Sequence, residues 1–279
     1  MKNNLRILSL GAGVQSSALA LMIEKGEVPM VDAAIFADVK GEPKAVYDWL
    51  AYLKTQITKF PIHTVTWRDL KQDILDAAEG KHKAFTAPFF TKNIKTGKKR
   101  MLRRQCTSMY KILPVIQKVR ELIGLKKGEK RKKGTKVEML MGISKDEIVR
   151  MRINPIKYIQ NVYPLVEKEM RRSDCLGWMK NNEYPTPPRS ACTFCPYHSM
   201  KEWREIKKNK EEWEEVVAMD KAIRKQERFK NKNKDEFTED ELFLHSKCIP
   251  IDEIDFDEDD KQGDFLFGME NECEGMCGN

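Results

Sequence analysis

The stretch Leu8–Met22, LSLGAGVQSSALALM, decides the fold. Its first residues extend an apolar run from Leu5 to Leu10 and read as a buried parallel strand. Gly11 and Gly13 then allow a tight turn, and Ser16–Lys25 carries helix formers up to a stop at Gly26. A strand turning through glycines into a helix is the layout of a phosphate-holding loop. The glycines let backbone N–H groups approach an anion, and the helix start offers amides and the hydroxyls of Ser16 and Ser17. The stretch lacks the Lys of a P-loop and is not GxGxxG. Gly-rich strand-to-helix turns also occur purely for packing, so the meaning of this one depends on its surroundings.

Working outward, the same alternation repeats. Asp32–Ala37 (DAAIFA) is a second buried strand, and Lys44–Thr58 has apolar residues at helical spacing: Val46, Trp49, Leu50, Leu53 and Ile57. Ile62–Trp67 is a third strand, Leu70–Ala78 and Tyr110–Leu122 are helices, and Val137–Ile143 (VEMLMGI) is a fourth strand. Strands alternating with helices predict an α/β fold with a doubly wound parallel sheet. Ligands of such sheets sit beyond the carboxyl ends of the strands. The segments of interest are therefore Gly11–Ser17, Asp38–Glu42 and Ser144–Arg150.

Beyond about residue 155 the sequence shows no convincing strand. Glu202–Lys232 is helical in pattern, and from Asp235 onward the chain is polar and acidic, which predicts a loosely held tail. The expected division is an α/β nucleotide-binding domain over 1–155, a helical cysteine-bearing region over 156–234, and the tail over 235–279.

Composition narrows the class. With 279 residues and 41% hydrophobic content, the chain can bury a sizeable core. No apolar run approaches the length of a transmembrane helix. Lys2 and Arg6 precede a mildly apolar stretch, but Gln15, Ser16 and Ser17 interrupt it, so a cytoplasmic protein is expected rather than a secreted one. The seven cysteines are an odd number, which favours metal, cluster or redox use over a disulfide framework. Net charge is +8 and unevenly spread. Residues 92–104 hold seven Lys or Arg, and residues 126–136 hold seven more, whereas Asp252–Asp260 is acidic. Two basic segments suggest a polyanionic partner, tRNA or DNA, although the second reads equally as a solvated connection between glycines.

Five further segments carry chemistry. In FADVKGEP, Asp38 directly follows the second strand and Glu42 lies close behind. Carboxylates there bind ribose hydroxyls or Mg²⁺, or form a turn. In RRQCTSMYKILP, Arg103, Arg104 and Lys111 flank Cys106, where cations can bind phosphate or sulfate and lower a thiol pKa. In SACTFCPYHS, Cys192-x-x-Cys195 is a sulfur ligand pair. Completing four ligands requires Cys106 and Cys175, a set that suits an iron–sulfur cluster, with zinc or a redox pair as alternatives. In GISKDEIVRM, Asp146, Glu147 and Arg150 follow the fourth strand; an ordinary acidic helix start reads the same way. Cys273 and Cys277 close the chain in NECEGMCGN, as swinging thiols or as spare ones. His63, His82, His198 and His245 form no metal-spacing motif and read as structural.

Together, SLGAGVQSS, FADVKGEP, RRQCTSMYKILP, MGISKDEIVRM, YPLVEKEMRRSDCLGW and SACTFCPYHSMKEW resemble the phosphoadenosine-phosphosulfate reductase family. That family belongs to the adenine nucleotide alpha-hydrolase-like, PP-loop ATP pyrophosphatase superfamily. The resemblance spans about Leu5 to Trp203. It implies an adenine nucleotide, ATP or a sulfonucleotide, at the sheet edge, with Mg²⁺ as an accompanying ion. Ser9, Gly11, Gly13, Gln15, Ser16, Ser17, Asp38, Gly142, Asp146 and Arg150 would surround it. It also implies a 4Fe–4S cluster on Cys106, Cys175, Cys192 and Cys195. Aligned on Gly13 and Ser16, Gln15 stands where ATP-cleaving members carry Asp.

Three functions follow as expectations. The first is nucleotide-dependent sulfur transfer to a nucleic-acid acceptor, in which ATP adenylylates an acceptor oxygen and sulfur displaces AMP. The second is a sulfonucleotide reductase, with Cys273 or Cys277 as nucleophile and Arg103, Arg104 and Lys111 on the sulfate. The third is a catalytically idle nucleotide- or nucleic-acid-binding module with a structural metal. The sequence leaves the oligomeric state open.

Overall fold

A computed structural model of the chain describes residues 4–81, 87–126, 128–225 and 240–257. The elements run β1 (Asn4–Leu10), α1 (Val14–Lys25), β2 (Ala33–Ala37), α2 (Lys44–Gln56), β3 (Ile62–Val65) and α3 (Leu70–Ala78). Next come β4 (Phe90–Asn93), β5 (Lys99–Met101), a π-helical turn (Thr107–Ile112), α4 (Leu113–Leu122) and β6 (Lys136–Met141). A 3₁₀ turn (Lys145–Arg150) leads to β7 (Ile159–Val162), α5 (Pro164–Glu167), α6 (Arg172–Asn181), α7 (Met200–Lys208), α8 (Lys210–Lys225) and β8 (Asp240–Phe243).

The described residues divide into two units: 4–67 with 107–190, and 68–106 with 191–257. The boundaries differ from those read along the sequence, because each unit is assembled from two separated lengths of chain.

The first unit is a five-stranded parallel sheet in the order β3-β2-β1-β6-β7. Side chains alternate across it with the period of two that the strand pleat imposes. Leu8, Leu10, Ala34, Phe36 and Leu140 pack on one face with α1, α2 and α6. Ile7, Ala33, Ile35, Val137 and Met139 pack on the other with Val115 and Val119 of α4. Helices on both faces make the sheet doubly wound, as the alternation of elements predicts. The strands are hydrophobic on both faces because both faces are covered.

Helix α1 is buried continuously from Val14 to Ile23, which explains its lack of a polar stripe. It ends where Gly26 adopts a left-handed conformation, φ 83°, with Gly26 N–H donating to Ile23 and Glu27 N–H to Met22.

Three sequence expectations change. Residues past 155 do contain strands: β7 completes the parallel sheet at its edge, and β8 belongs to the second unit. The four-residue β7 (IQNV) is too short and too polar to show a periodic signal. The helix expected from Tyr110 begins as a π turn and becomes α-helical only at Leu113, with Pro114 in its first turn, where proline is tolerated. The segment expected to be a loose acidic tail is packed over residues 240–257. Leu242, Leu244, Ile251, Ile254 and Phe256 are buried there, and Asp220 accepts the backbone N–H groups of Leu244 and Ile251, each at 3.1 Å. The remainder of that tail, including Cys273 and Cys277, lies outside the described residues.

The second unit pairs a three-stranded antiparallel sheet, β5-β4-β8, with α3, α7 and α8. The basic segment 92–104 largely falls on the β4–β5 hairpin. Asn93 builds its turn: its side-chain oxygen accepts from Lys95 N–H at 3.2 Å and Thr96 N–H at 2.9 Å, and its amide donates to Asp240 at 2.8 Å. Gly97, at φ 67°, supplies the left-handed residue. Lys95 and Lys98 are thereby presented on an exposed turn, with Lys99 exposed at the start of β5. The described residues of the second basic segment form an exposed connection between α4 and β6.

Candidate functional site

In the parallel sheet, β1 is followed by β2 on one side, while its other neighbour, β6, leads to β7 in the opposite direction. This is the switch point at which doubly wound sheets hold ligands. Both loops leaving it contain segments singled out from the sequence: Gly11–Ser17 after β1 and Ser144–Arg150 after β6.

Their approach is close. A Cβ added to Gly142 would stand 2.7 Å from both the Cα and the backbone nitrogen of Ser16. Only glycine permits that contact, which gives Gly142 a physical reason to be glycine. Across the same gap, Gln15 Nε2 donates to Glu147 at 3.1 Å and to Ser144 at 3.4 Å. Glu147 in turn pairs with Arg150 at 2.5 Å. Gln15 therefore ties the two loops together.

The start of α1 has the features of an anion site. Gly13 is its N-cap, so no side chain occupies the cap position. Ala12 is held at φ 60°, an uncommon conformation for a residue with a Cβ. Ser16 Oγ accepts from Gly11 N–H at 3.2 Å and fixes the turn. Ser17 is committed to packing, accepting from the Trp49 indole of α2 at 2.9 Å. Two buried polar atoms here have no partner: Ser9 Oγ, near the end of β1, and Gln15 Oε1. Unpaired polar atoms inside a fold are uncommon and call for a ligand or another explanation.

After β2, Asp38 is 4% exposed and fully engaged. It accepts from Lys40 N–H at 2.8 Å and Tyr47 hydroxyl at 2.9 Å, and its second oxygen pairs with the Lys40 ammonium at 2.8 Å. Burial, then the charge of Asp38, pushes the Tyr47 pKa upward, so the phenol keeps the proton that it donates. Lys111, expected to hold sulfate, instead reaches Glu42 in a buried ion pair at 3.0 Å. Asp146 accepts from Arg172 N–H at 3.2 Å and caps the entry to α6. Sequence reading did not find Tyr47, which carries only a helix-face signal, or the pairing of Glu42 with Lys111, residues 69 positions apart.

The cysteines divide between the units. Cys175 is buried in the core of the first. Cys106, Cys192 and Cys195 belong to the second. Cys192 and Cys195 bracket a turn closed by Cys195 N–H donating to Cys192 O at 2.9 Å, and His198 Nε2 lies 2.8 Å from the same carbonyl. A turn with two half-buried thiols fits a pair of sulfur ligands. Among the described residues, no group of three or more His, Cys, Asp or Glu side chains could hold a metal ion. Arg104, also in the second unit, lies over the Tyr197 ring at 5.8 Å. A separate cavity of about 640 Å³ opens beside β7, lined by Met151, Arg152, Asn154, Gln160 and Tyr163 among others, and contains none of the expected site residues. Among the described residues, no helix is long and apolar enough to cross a membrane.

The site is thus of the switch-point class found in doubly wound α/β proteins. No protein-family profile and no curated protein matches the sequence. Among solved structures, the chain is similar to the phosphate complex of phosphoadenylyl-sulfate (PAPS) reductase from Candida auris. The two are 14% identical, with a TM-score of 0.40, over 67% of this chain and 76% of that one.

Proposed function

We propose that the protein is an enzyme that binds an adenine nucleotide at the β1–β6 switch point and uses it for sulfur chemistry. The observation that carries the nucleotide reading is the start of α1. A glycine N-cap places no side chain over the helix start, in a loop fixed by Ser16 and closed over by Gly142. Amides at a helix start, aided by the helix dipole, suit phosphate oxygens.

The proposed reaction is nucleotide-dependent sulfur transfer. An acceptor oxygen attacks the α-phosphorus of ATP and pyrophosphate leaves. A sulfide-level sulfur nucleophile then forms the new C–S bond as the C–O bond breaks and AMP departs. The exposed lysines of the β4–β5 hairpin favour a nucleic-acid acceptor, because closely spaced ammonium groups neutralise successive phosphates. A sulfur-ligated metal, a 4Fe–4S cluster or zinc, belongs to the proposal at the Cys192–Cys195 turn.

One observation favours a second reading, reduction of a sulfonucleotide. Gln15 is neutral and hydrogen-bonded to Ser144 and Glu147, so the loop itself offers no carboxylate for a Mg²⁺ ion on a triphosphate. In that reading the thiolate of Cys273 or Cys277 attacks the sulfate sulfur as the S–O bond breaks and the nucleotide phosphate leaves, and a second thiol then attacks the cysteine sulfur of the thiosulfonate, forming a disulfide and releasing sulfite. Product analysis separates the two. Acceptor-dependent pyrophosphate from ATP supports transfer, and sulfite from a sulfonucleotide supports reduction. Neither product, together with tight nucleic-acid binding, supports the non-catalytic module. Anaerobic purification with iron, sulfide and zinc analysis tests the metal.

A further inference from the structure

The cavity beside β7 holds none of the residues assigned so far, and hydrogen bonds fix its wall. The Tyr163 hydroxyl accepts from the Arg152 N–H at 2.9 Å and donates to the Arg152 carbonyl at 2.7 Å. The Asn161 carboxamide donates to the same carbonyl at 2.9 Å and accepts from Asn154 Nδ2 at 3.0 Å. Arg152 and Asn154 are thus both tied to the β7 side of the cavity. The residue between them, Ile153, is held outward in its wall and is 96% exposed. An apolar side chain therefore stands in a fixed place among polar groups, the composition of a ligand site.

The lining favours an anion that also carries hydrogen-bonding edges. Arg152 and Lys157 contribute to it, and no carboxylate does. Among the described residues, neither the Lys157 ammonium nor the Gln160 carboxamide has a hydrogen-bond or ion-pair partner. Positive charge continues beyond the cavity. Arg131 of the second basic segment lies 5.6 Å over the ring of Tyr158, the neighbour of Lys157 in sequence. Val137 pairs with Ile159, so Lys136, one residue earlier, enters β6 beside Tyr158. Lys130, Lys132 and Lys133 of the same segment are exposed. A cavity that opens onto a basic track suits one unit of a polyanion whose neighbours lie outside it. Its volume, about 640 Å³, is ample for a nucleotide. A base stacked in a duplex cannot enter such a cavity, whereas an unpaired base can turn out into it. We infer that the cavity takes one unpaired nucleotide of a nucleic acid. Its base lies against Ile153 and meets the Gln160 carboxamide, and the flanking phosphates run over Lys157 and the basic connection between α4 and β6.

This inference deepens the nucleic-acid part of the proposed function and rests on it. The test is fluorescence anisotropy of the full chain with a labelled oligonucleotide, as RNA and as DNA, each single-stranded and in a duplex. Wild type should bind at least one single strand about tenfold or more tightly than its duplex. Ile153→Glu places a carboxylate against the base and should weaken single-strand binding about tenfold, with the melting temperature kept because the position is exposed. A Lys132→Gln/Lys133→Gln/Lys157→Gln variant should lower the log–log salt slope of single-strand binding by about two, since each phosphate contact contributes roughly 0.7. Equal affinity for strand and duplex, unchanged single-strand affinity in the Ile153→Glu protein, or an unchanged slope in the triple variant would overturn the cavity assignment and leave the nucleic-acid reading standing. Failure of wild type to bind any of these oligonucleotides would overturn that reading and this inference with it.

Discussion

At the scale of single residues, the candidate site depends on buried atoms that the fold leaves without partners and on one glycine that it cannot replace. Ser9 Oγ is buried and unpartnered. Removing such a hydroxyl relieves a desolvation penalty and breaks no internal bond. Ser9→Ala should therefore keep or slightly raise the melting temperature, while weakening nucleotide binding by about tenfold, the worth of one hydrogen bond. Gly142→Ala should instead destabilise the fold. Its Cβ would meet Ser16 backbone at 2.7 Å, and backbone cannot rotate away. A loss of about 2 kcal/mol in chemical denaturation is expected, as for overpacked cores, with nucleotide binding lost alongside. The family resemblance placed Ser9 and Gly142 around a nucleotide without giving either a physical reason. It could not show that Gly142 abuts Ser16, because that contact joins residues more than a hundred positions apart. Glu42 was legible as a strand-end carboxylate, but its pairing with Lys111 was not.

At the scale of elements, four of the five parallel strands and their helices were legible, because apolar runs alternate there with helical spacing between glycine, proline or charge. The elements that escaped are short. Strand β7 has four residues, β4 and β5 form a short hairpin, and β8 pairs with β4 from a distant part of the chain, none with a periodic signal of its own. The basic residues of 92–104 were legible as charge but not as a hairpin, because Asn93 and Gly97 set its turn and Asp240 braces it from a distant strand. That rigidity has a consequence. Replacing Lys95, Lys98 and Lys99 by Glu should leave folding intact, since all three are exposed. It should weaken nucleic-acid binding and flatten its salt dependence by roughly two to three in the log–log slope, measured by fluorescence anisotropy at several salt concentrations. An unchanged slope would remove the hairpin from the proposed acceptor surface.

At the scale of the whole molecule, each unit closes its core with chain from two separated lengths. In the second unit, Asp220 of α8 is the fastening. It is 1% exposed, binds the backbone of Leu244 and Ile251, and pairs with Arg224. Asp220→Ala should cost about 3 kcal/mol by urea denaturation, because it leaves buried N–H groups and a cation unmatched. Burial raises the Asp220 pKa above its ordinary value of 3.8, against the lowering pull of its hydrogen bonds. The folded chain thus binds this proton more readily than the unfolded chain. Its contribution is fully present below the ordinary aspartate range and fades as pH rises through the elevated value. Relative to Asp220→Asn, wild type should therefore gain melting temperature as pH falls through the acid range; a constant difference would contradict the shift.

The central claim is that a nucleotide's phosphates sit on the amides at the start of α1. Gly13→Asp tests it most directly. Aspartate is a preferred N-cap and complements the helix dipole, so it favours α1 while placing a negative charge where the phosphates would lie. Calorimetric titration with ATP should show micromolar-range binding by wild type and a loss of about a hundredfold or more in Gly13→Asp, with the melting temperature kept. Ser9→Ala serves as the second variant should Gly13→Asp not fold. Equal ATP affinity in wild type and a folded Gly13→Asp protein would contradict the account.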